Sequence, residues 1–102
     1  MTERELVTAL ETTGLPVRYS HFAKKQQPPY IVYYGNGQGI FDADNTVYVK
    51  KNKYMVQFWF TEKDPDMEEA IESALVAAGW RYEKSEDIWN ESEGVFGIYY
   101  YV

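Results

Sequence analysis

The stretch that most constrains this chain is residues 64–79, DPDMEEAIESALVAAG, because it specifies a helix and both of its ends. Met67, Ala70, Ile71, Ala74, Leu75 and Ala78 recur at steps of three and one, which sets all six on one stripe of a 3.6-residue helix. Glu68, Glu69, Glu72 and Ser73 fall to the flanks and the far side. Asp64 suits the N-cap, since its carboxylate can accept from the free amides of the first turn. Pro65 suits the first helical position, where no amide donor is needed, and Asp66, Glu68 and Glu69 oppose the positive end of the dipole. Gly79 stands where a left-handed residue closes a helix. Three alanines on the stripe allow a close approach to a flat partner, so the rest of the chain should supply a sheet.

Most of the remainder reads as strands. Thr2 followed three residues later by Glu5 makes a capping-box pattern ahead of Leu6, Val7, Ala9 and Leu10, and Gly14 ends this first helix. Leu15-Pro16 breaks it, and residues 17–22 alternate as a strand with Val17, Tyr19 and His21 on one face. A polar turn over 24–29 closes in Pro28-Pro29, which cannot pair inside a sheet. Residues 30–34, YIVYY, predict a buried strand. Residues 35–39 read as a flexible loop that 40–45 continue in less regular form, 46–50 as a short extended piece, and Asn52 as a turn or bulge. Residues 53–61, KYMVQFWFT, are the most strand-like and belong near the sheet centre. Their alternation separates Tyr54, Val56, Phe58 and Phe60 from Met55, Gln57, Trp59 and Thr61. Beyond the central helix, 80–84 start a strand, 88–91 pair briefly, and 95–102 close the sheet. The expected architecture is α+β, a single domain over 1–102 in the order α-β-β-β-α-β-β. Its mostly antiparallel sheet has four to five strands, with two helices packed on it.

With no cysteine, neither disulfides nor thiolate metal sites are available. The charged N-terminus and the lack of a long apolar run predict a soluble protein made and used inside a cell. A net charge of −6 argues against a general nucleic-acid binder. The charge is unevenly placed: residues 1–17 carry −2, residues 18–63 carry +4 and residues 64–102 carry −8. An uneven solvated surface accounts for this split, and so does a head-to-tail contact in which a basic face of one copy meets an acidic face of the next.

No motif points to a reaction. Gly35, Gly37 and Gly39 resemble a phosphate-cradling loop only in composition, because Ile40 stands where a dinucleotide fingerprint needs its third glycine, and no Lys-Ser/Thr pair follows. Asp42 and Asp44 open like a calcium loop, but Val47 and Lys53 occupy the required Gly and Glu positions. His21 is a lone histidine without a nucleophile or second ligand. Glu83, Glu86, Asp87, Glu91 and Glu93 read as an acidic rim rather than a catalytic pair. Phe58, Trp59 and Phe60 lack the RNP context of sheet-based RNA binders and read as core. The expectation is no enzyme activity, no cofactor and no metal.

Several stretches carry a resemblance. They are Thr13-Gly14-Leu15-Pro16-Val17, Pro28-Pro29-Tyr30-Ile31-Val32-Tyr33, Val47-Tyr48-Val49-Lys50, Phe58-Trp59-Phe60-Thr61, Lys63-Asp64-Pro65 and Ile98-Tyr99-Tyr100-Tyr101. Together they make the chain similar to the small tail-completion, or tail-terminator-like, proteins of long-tailed phages and prophages of Gram-positive bacteria. The resemblance implies a non-enzymatic subunit that forms a ring, commonly a hexamer. That ring caps the finished tail tube and presents a surface to the head connector. It also implies assembly in the host cytoplasm and a final place in the virion tail, with tail-tube and head-completion proteins as partners and no direct contact with nucleic acid or membrane. The expected interface joins Lys50, Lys51 and Lys53 to an acidic surface that includes Glu91 and Glu93, with the segment holding Gly35, Gly37, Gly39, Asp42 and Asp44 as an arm that orders on assembly. The alternative function is an acidic module that sequesters a basic protein partner, suggested by the −8 charge of residues 64–102.

Overall fold

The computed structural model of the chain describes the backbone of residues 2–43 and 47–102, and the side chains of 2–38 and 52–102. Two helices, α1 (Glu3–Glu11) and α2 (Pro65–Ala77), accompany six strands. The strands are β1 (Val17–Tyr19), β2 (Tyr30–Ala43), β3 (Val47–Phe60), β4 (Glu83–Lys84), β5 (Ile88–Asn90) and β6 (Val95–Tyr101). The class is α+β, as the patterning implies. In the sheet the order is β1-β2-β3-β6-β4, with β5 also paired to β6; β1 and β2 run parallel and every other pair is antiparallel. Because β3 and β4 both run against β6, the β3-α2-β4 connection passes over β6, which lies between the strands it joins.

Local chemistry sets the helix ends. The Thr2 hydroxyl accepts from the Glu5 amide at 3.2 Å, and Asp64 Oδ1 accepts from the Met67 amide at 3.1 Å, so each cap occupies an otherwise unpaired first-turn donor. Gly79 takes φ +88 just beyond α2, the left-handed geometry that lets its amide and that of Trp80 reach back to Val76 and Leu75 carbonyls.

One face of the sheet is the core. Ile31 and Tyr33 of β2, Tyr54, Val56, Phe58 and Phe60 of β3, and Ile98 and Tyr100 of β6 meet Leu6 and Leu10 of α1 and Ile71 and Leu75 of α2. The β3 alternation predicts this set. The α2 stripe is rotated from its expected position: Ala70 is exposed and Glu68 is buried. Ala74 and Ala78 of the stripe serve a second neighbour besides the sheet. Ala74, Ala77 and Ala78 line a cleft with Thr8 and Ala9 of α1, so small side chains sit where helix meets helix.

The middle of the chain differs most from expectation. Residues 35–43 are not a loop but the outer part of β2, paired in register with 47–54 of β3. Asn52 is neither turn nor bulge; it lies opposite Gln38, whose amide donates to Asn52 Oδ1 at 2.7 Å, and the register shift falls instead between Gly35 and Gln38 on β2. Gly37, with φ +83, takes up that irregularity. β1 is shorter than the alternation predicts, because Ser20 turns left-handed at φ 65 and takes His21 out of the strand. The strand expected over 80–84 is confined to Glu83–Lys84, since Trp80 turns into the core. β4 and β5 are two short pieces against one side of β6, joined where Ser85 bonds Tyr99 through both its amide and its hydroxyl.

Candidate functional site

β6 pairs with β3 from Met55 to Phe60, with Tyr54 and Val102 exchanging one further pair of backbone bonds, and β1 pairs with β2 from Ile31 to Tyr33. The ribbon formed by Gln38–Ala43 and Val47–Asn52 therefore extends past its neighbours by six residue pairs, about 20 Å at strand rise. The molecule's extents, 49 × 25 × 25 Å, reflect this arm. Register sets Phe41 opposite Val49 and Ala43 opposite Val47, alternating with Ile40 opposite Lys50 and Asp42 opposite Tyr48.

The second feature is the sheet face turned away from the helices. Tyr30 lies opposite Trp59, Val32 opposite Gln57 and Tyr34 opposite Met55, so this face is aromatic and amide-bearing. Trp59 rests on Gly97, where a Cβ would stand only 2.7 Å from its Cζ3, and meets the Tyr99 ring at 66° and 6.1 Å. Its indole N–H donates to Gln57 Oε1 at 3.2 Å. Above this floor lies a groove of about 570 Å³, walled on one side by residues 20–28 with Lys24 and Lys25, and on the other by Asn90, Glu93 and Gly94. Burial, then the Glu93 carboxylate and Tyr34, raise the Tyr30 phenol above its ordinary value.

The third feature is a charged clamp on the helix side. Glu68, 4 % exposed, sits between two ammonium groups: Lys84 Nζ donates to Oε1 at 2.9 Å, and Lys63 Nζ lies 2.7 Å from Oε2. This second contact is an ion pair on the other oxygen of the same carboxylate. Lys63 also reaches Asp87 at 2.9 Å, and Lys84 lies 2.7 Å from Glu72. Glu72 accepts from the buried Tyr100 hydroxyl at 2.8 Å and from Tyr82 at 3.3 Å. Burial works to raise both carboxyls; Lys63 and Lys84 overcome it at Glu68, and Lys84 with the Tyr100 and Tyr82 hydroxyls overcomes it at Glu72, leaving both below the usual carboxylate range. Burial works to lower Lys84, and Glu72 and Glu68 outweigh it, holding the ammonium well above its ordinary value. The clamp ties α2 to β4 and β6; each of its charges has an opposite partner, which is the chemistry of a structural joint.

Of the expected interface residues, register gathers Gly35, Gly37, Gly39, Asp42, Lys50, Lys51 and Lys53 on the β2–β3 ribbon, with Gly39 opposite Lys51, and sets Glu91 and Glu93 apart from them. Lys53 is exposed at the root of the arm, close to the Met55–Tyr101 pair. Glu91 and Glu93 are exposed in the turn before Val95, at the opposite end of β6. Gly35 and Gly37 are exposed where the arm leaves the sheet. The side chains of Asp42, Lys50 and Lys51, and all of Asp44, lie outside the described residues, and of Gly39 only the backbone pairing is described. Among the described residues, no group of three or more His, Asp or Glu is placed to hold a metal ion, and no helix is long and apolar enough to cross a membrane.

The β3 alternation puts Gln57 and Trp59 on one face. The wall formed by Lys24 and Lys25 could not be found that way, because residues 23–28 carry no periodic pattern. A scan against family models finds no match to this chain, and a search of curated protein sequences finds none either.

Proposed function

We propose that this chain is a structural assembly subunit of the tail-terminator kind. In this reading it forms a ring with its own copies, caps a phage tail tube and meets the head-completion proteins, without catalysing a reaction. The observation that carries the proposal is the unaccompanied β2–β3 ribbon. A two-stranded ribbon is marginal in water, and a protein that projects one by about 20 Å gives it a surface to lie on, most simply a neighbouring subunit. The aromatic open face supports the reading, since tyrosine and tryptophan are the side chains that protein contacts favour. The resemblance supplies the particular assembly: host cytoplasm while the tail is built, and the virion tail afterwards.

Light scattering coupled to size exclusion, with and without tail-tube protein, tests the proposal. Closed rings are the expected result, and a monomer at every concentration in both conditions refutes it. The rival reading, an acidic module that sequesters a basic protein, draws on the exposed Glu86, Glu91 and Glu93. It predicts tight one-to-one binding to a basic partner without self-association.

A further inference from the structure

We infer that the groove on the open sheet face is the seat for the Trp89-bearing edge of a second copy, so that subunits join head to tail. The inference rests on the proposal that copies of this chain assemble, and it names the contact.

The basic wall of the groove and the proposed occupant belong to different parts of the sheet, while Asn90 and Glu93, just beyond Trp89, form the groove's other wall. The groove floor is Tyr30, Tyr34 and Trp59, and its basic wall follows β1, at one end of the strand order. Trp89 lies on β5, at the other end. The two surfaces match in chemistry. Residues 17–29 hold Arg18, Lys24 and Lys25 with no acidic residue, whereas residues 83–93 hold five carboxylates against Lys84 alone. Trp89 is 52 % exposed although its ring packs on Phe96 at 4.7 Å, so one indole surface is anchored and the other is offered. Trp80, by contrast, is 3 % exposed. A fixed, half-open tryptophan is the kind of side chain that supplies most of the energy of a protein contact when it enters an aromatic pocket, and here Asp87 and Glu91 stand two residues to either side of it. The flanking Glu86 and Glu91 would then face Lys24 and Lys25, which sets orientation and speeds encounter. Because the two surfaces differ, the contact is heterologous and closes only by rotation into a ring.

A charge-exchange experiment on the full chain tests this. Lys24, Lys25, Glu86 and Glu91 are all exposed, so reversing them leaves the fold intact, which circular dichroism and melting would verify. One variant carries K24E and K25E, the other E86K and E91K. Each alone should associate at least tenfold more weakly than the wild-type chain in sedimentation velocity. Mixed, they should recover assembly, because the acidic groove of the first fits the basic edge of the second and the reverse pairing also holds. W89A should weaken association by a similar factor without lowering the melting temperature by more than a few degrees. If the wild-type chain forms rings while both charge variants and W89A assemble equally well, or if the mixture stays dissociated, copies meet elsewhere and this inference fails alone. If the wild-type chain never associates, the assembly reading fails with it.

Discussion

Replacing Glu68 by glutamine tests whether the clamp is built on an ionised carboxylate. The variant keeps the volume of a side chain that is 4 % exposed, so no cavity opens. It also strands no ammonium, because Lys63 retains Asp87 at 2.9 Å and Lys84 retains Glu72 at 2.7 Å. The cost of about 3–5 kcal/mol for orphaning a buried charge therefore does not apply. What is lost is the excess of two charge-assisted contacts over neutral ones, about 1 kcal/mol each before screening. The lysine side chains are 50 % and 35 % exposed, so water already weakens both contacts. We expect a net loss of about 1–1.5 kcal/mol near neutral pH, or about 4–10 °C in melting temperature for a domain of this size.

The pH dependence fixes the interpretation. The folded-state pKa of Glu68 is below its ordinary 4.5, so its contribution is complete above that value and disappears as pH falls through the lower folded value. Glutamine does not titrate, so the gap between the two proteins should be full near about pH 6 and should close as the medium becomes more acid than the ordinary carboxyl value. Urea unfolding followed by tryptophan emission at several pH values measures this. A gap that is absent at neutral pH, or unchanged in acid, would refute the ionic account of the clamp.

Gly97→Ala should cost about 1–2 kcal/mol and shift tryptophan emission, since the added methyl must displace the Trp59 ring; a wild-type spectrum and midpoint would mean that the ring does not rest there. Phe58→Ala, at the fully buried centre of the sheet, should cost about 3–5 kcal/mol in denaturant unfolding, and a loss below 1 kcal/mol would contradict its place in the core. Asp64→Ala should remove about 1 kcal/mol by freeing the Met67 amide, with no change in the m-value. Burial and the bond to Glu3 push Tyr33 up to about 12, and burial with the bond to Glu72 raises Tyr100 further. Both contribute stability below the ordinary value of 10.0 that is lost as pH climbs through their folded values. Ultraviolet titration to about pH 11 should therefore find fewer phenolates in the native protein than in denaturant, and equal numbers would refute it.

How legible each element was depended on the distance over which its causes act. Asp64, Pro65 and Gly79 mark the ends of α2 because a cap bonds amides only a few residues away, and those partners are written beside it. The alternation at Tyr54, Val56, Phe58 and Phe60 is equally local and gave the core face directly. The glycine-bearing segment misled because Gly35, Gly37 and Gly39 carry the composition of a loop. What makes residues 35–43 a strand is the facing register of 47–54; Gly35 and Gly37 serve the irregularity before Gln38, and Gly39 pairs regularly with Lys51. Glu68 misled for a similar reason, since an acidic residue in the first turn of a helix is ordinarily solvated.

The sequence by itself determined the α+β class, the limits of both helices and the alternation of the central strand, because hydrogen-bond caps and side-chain period act between residues near one another in the chain. Only the tertiary structure decided that Glu68 lies inside, because its burial requires Lys63 and Lys84, which approach from either end of the β3-α2-β4 connection. It alone decided that the helices leave the Trp59 face uncovered and grooved, since which surface they cover depends on where the crossover lies over the sheet.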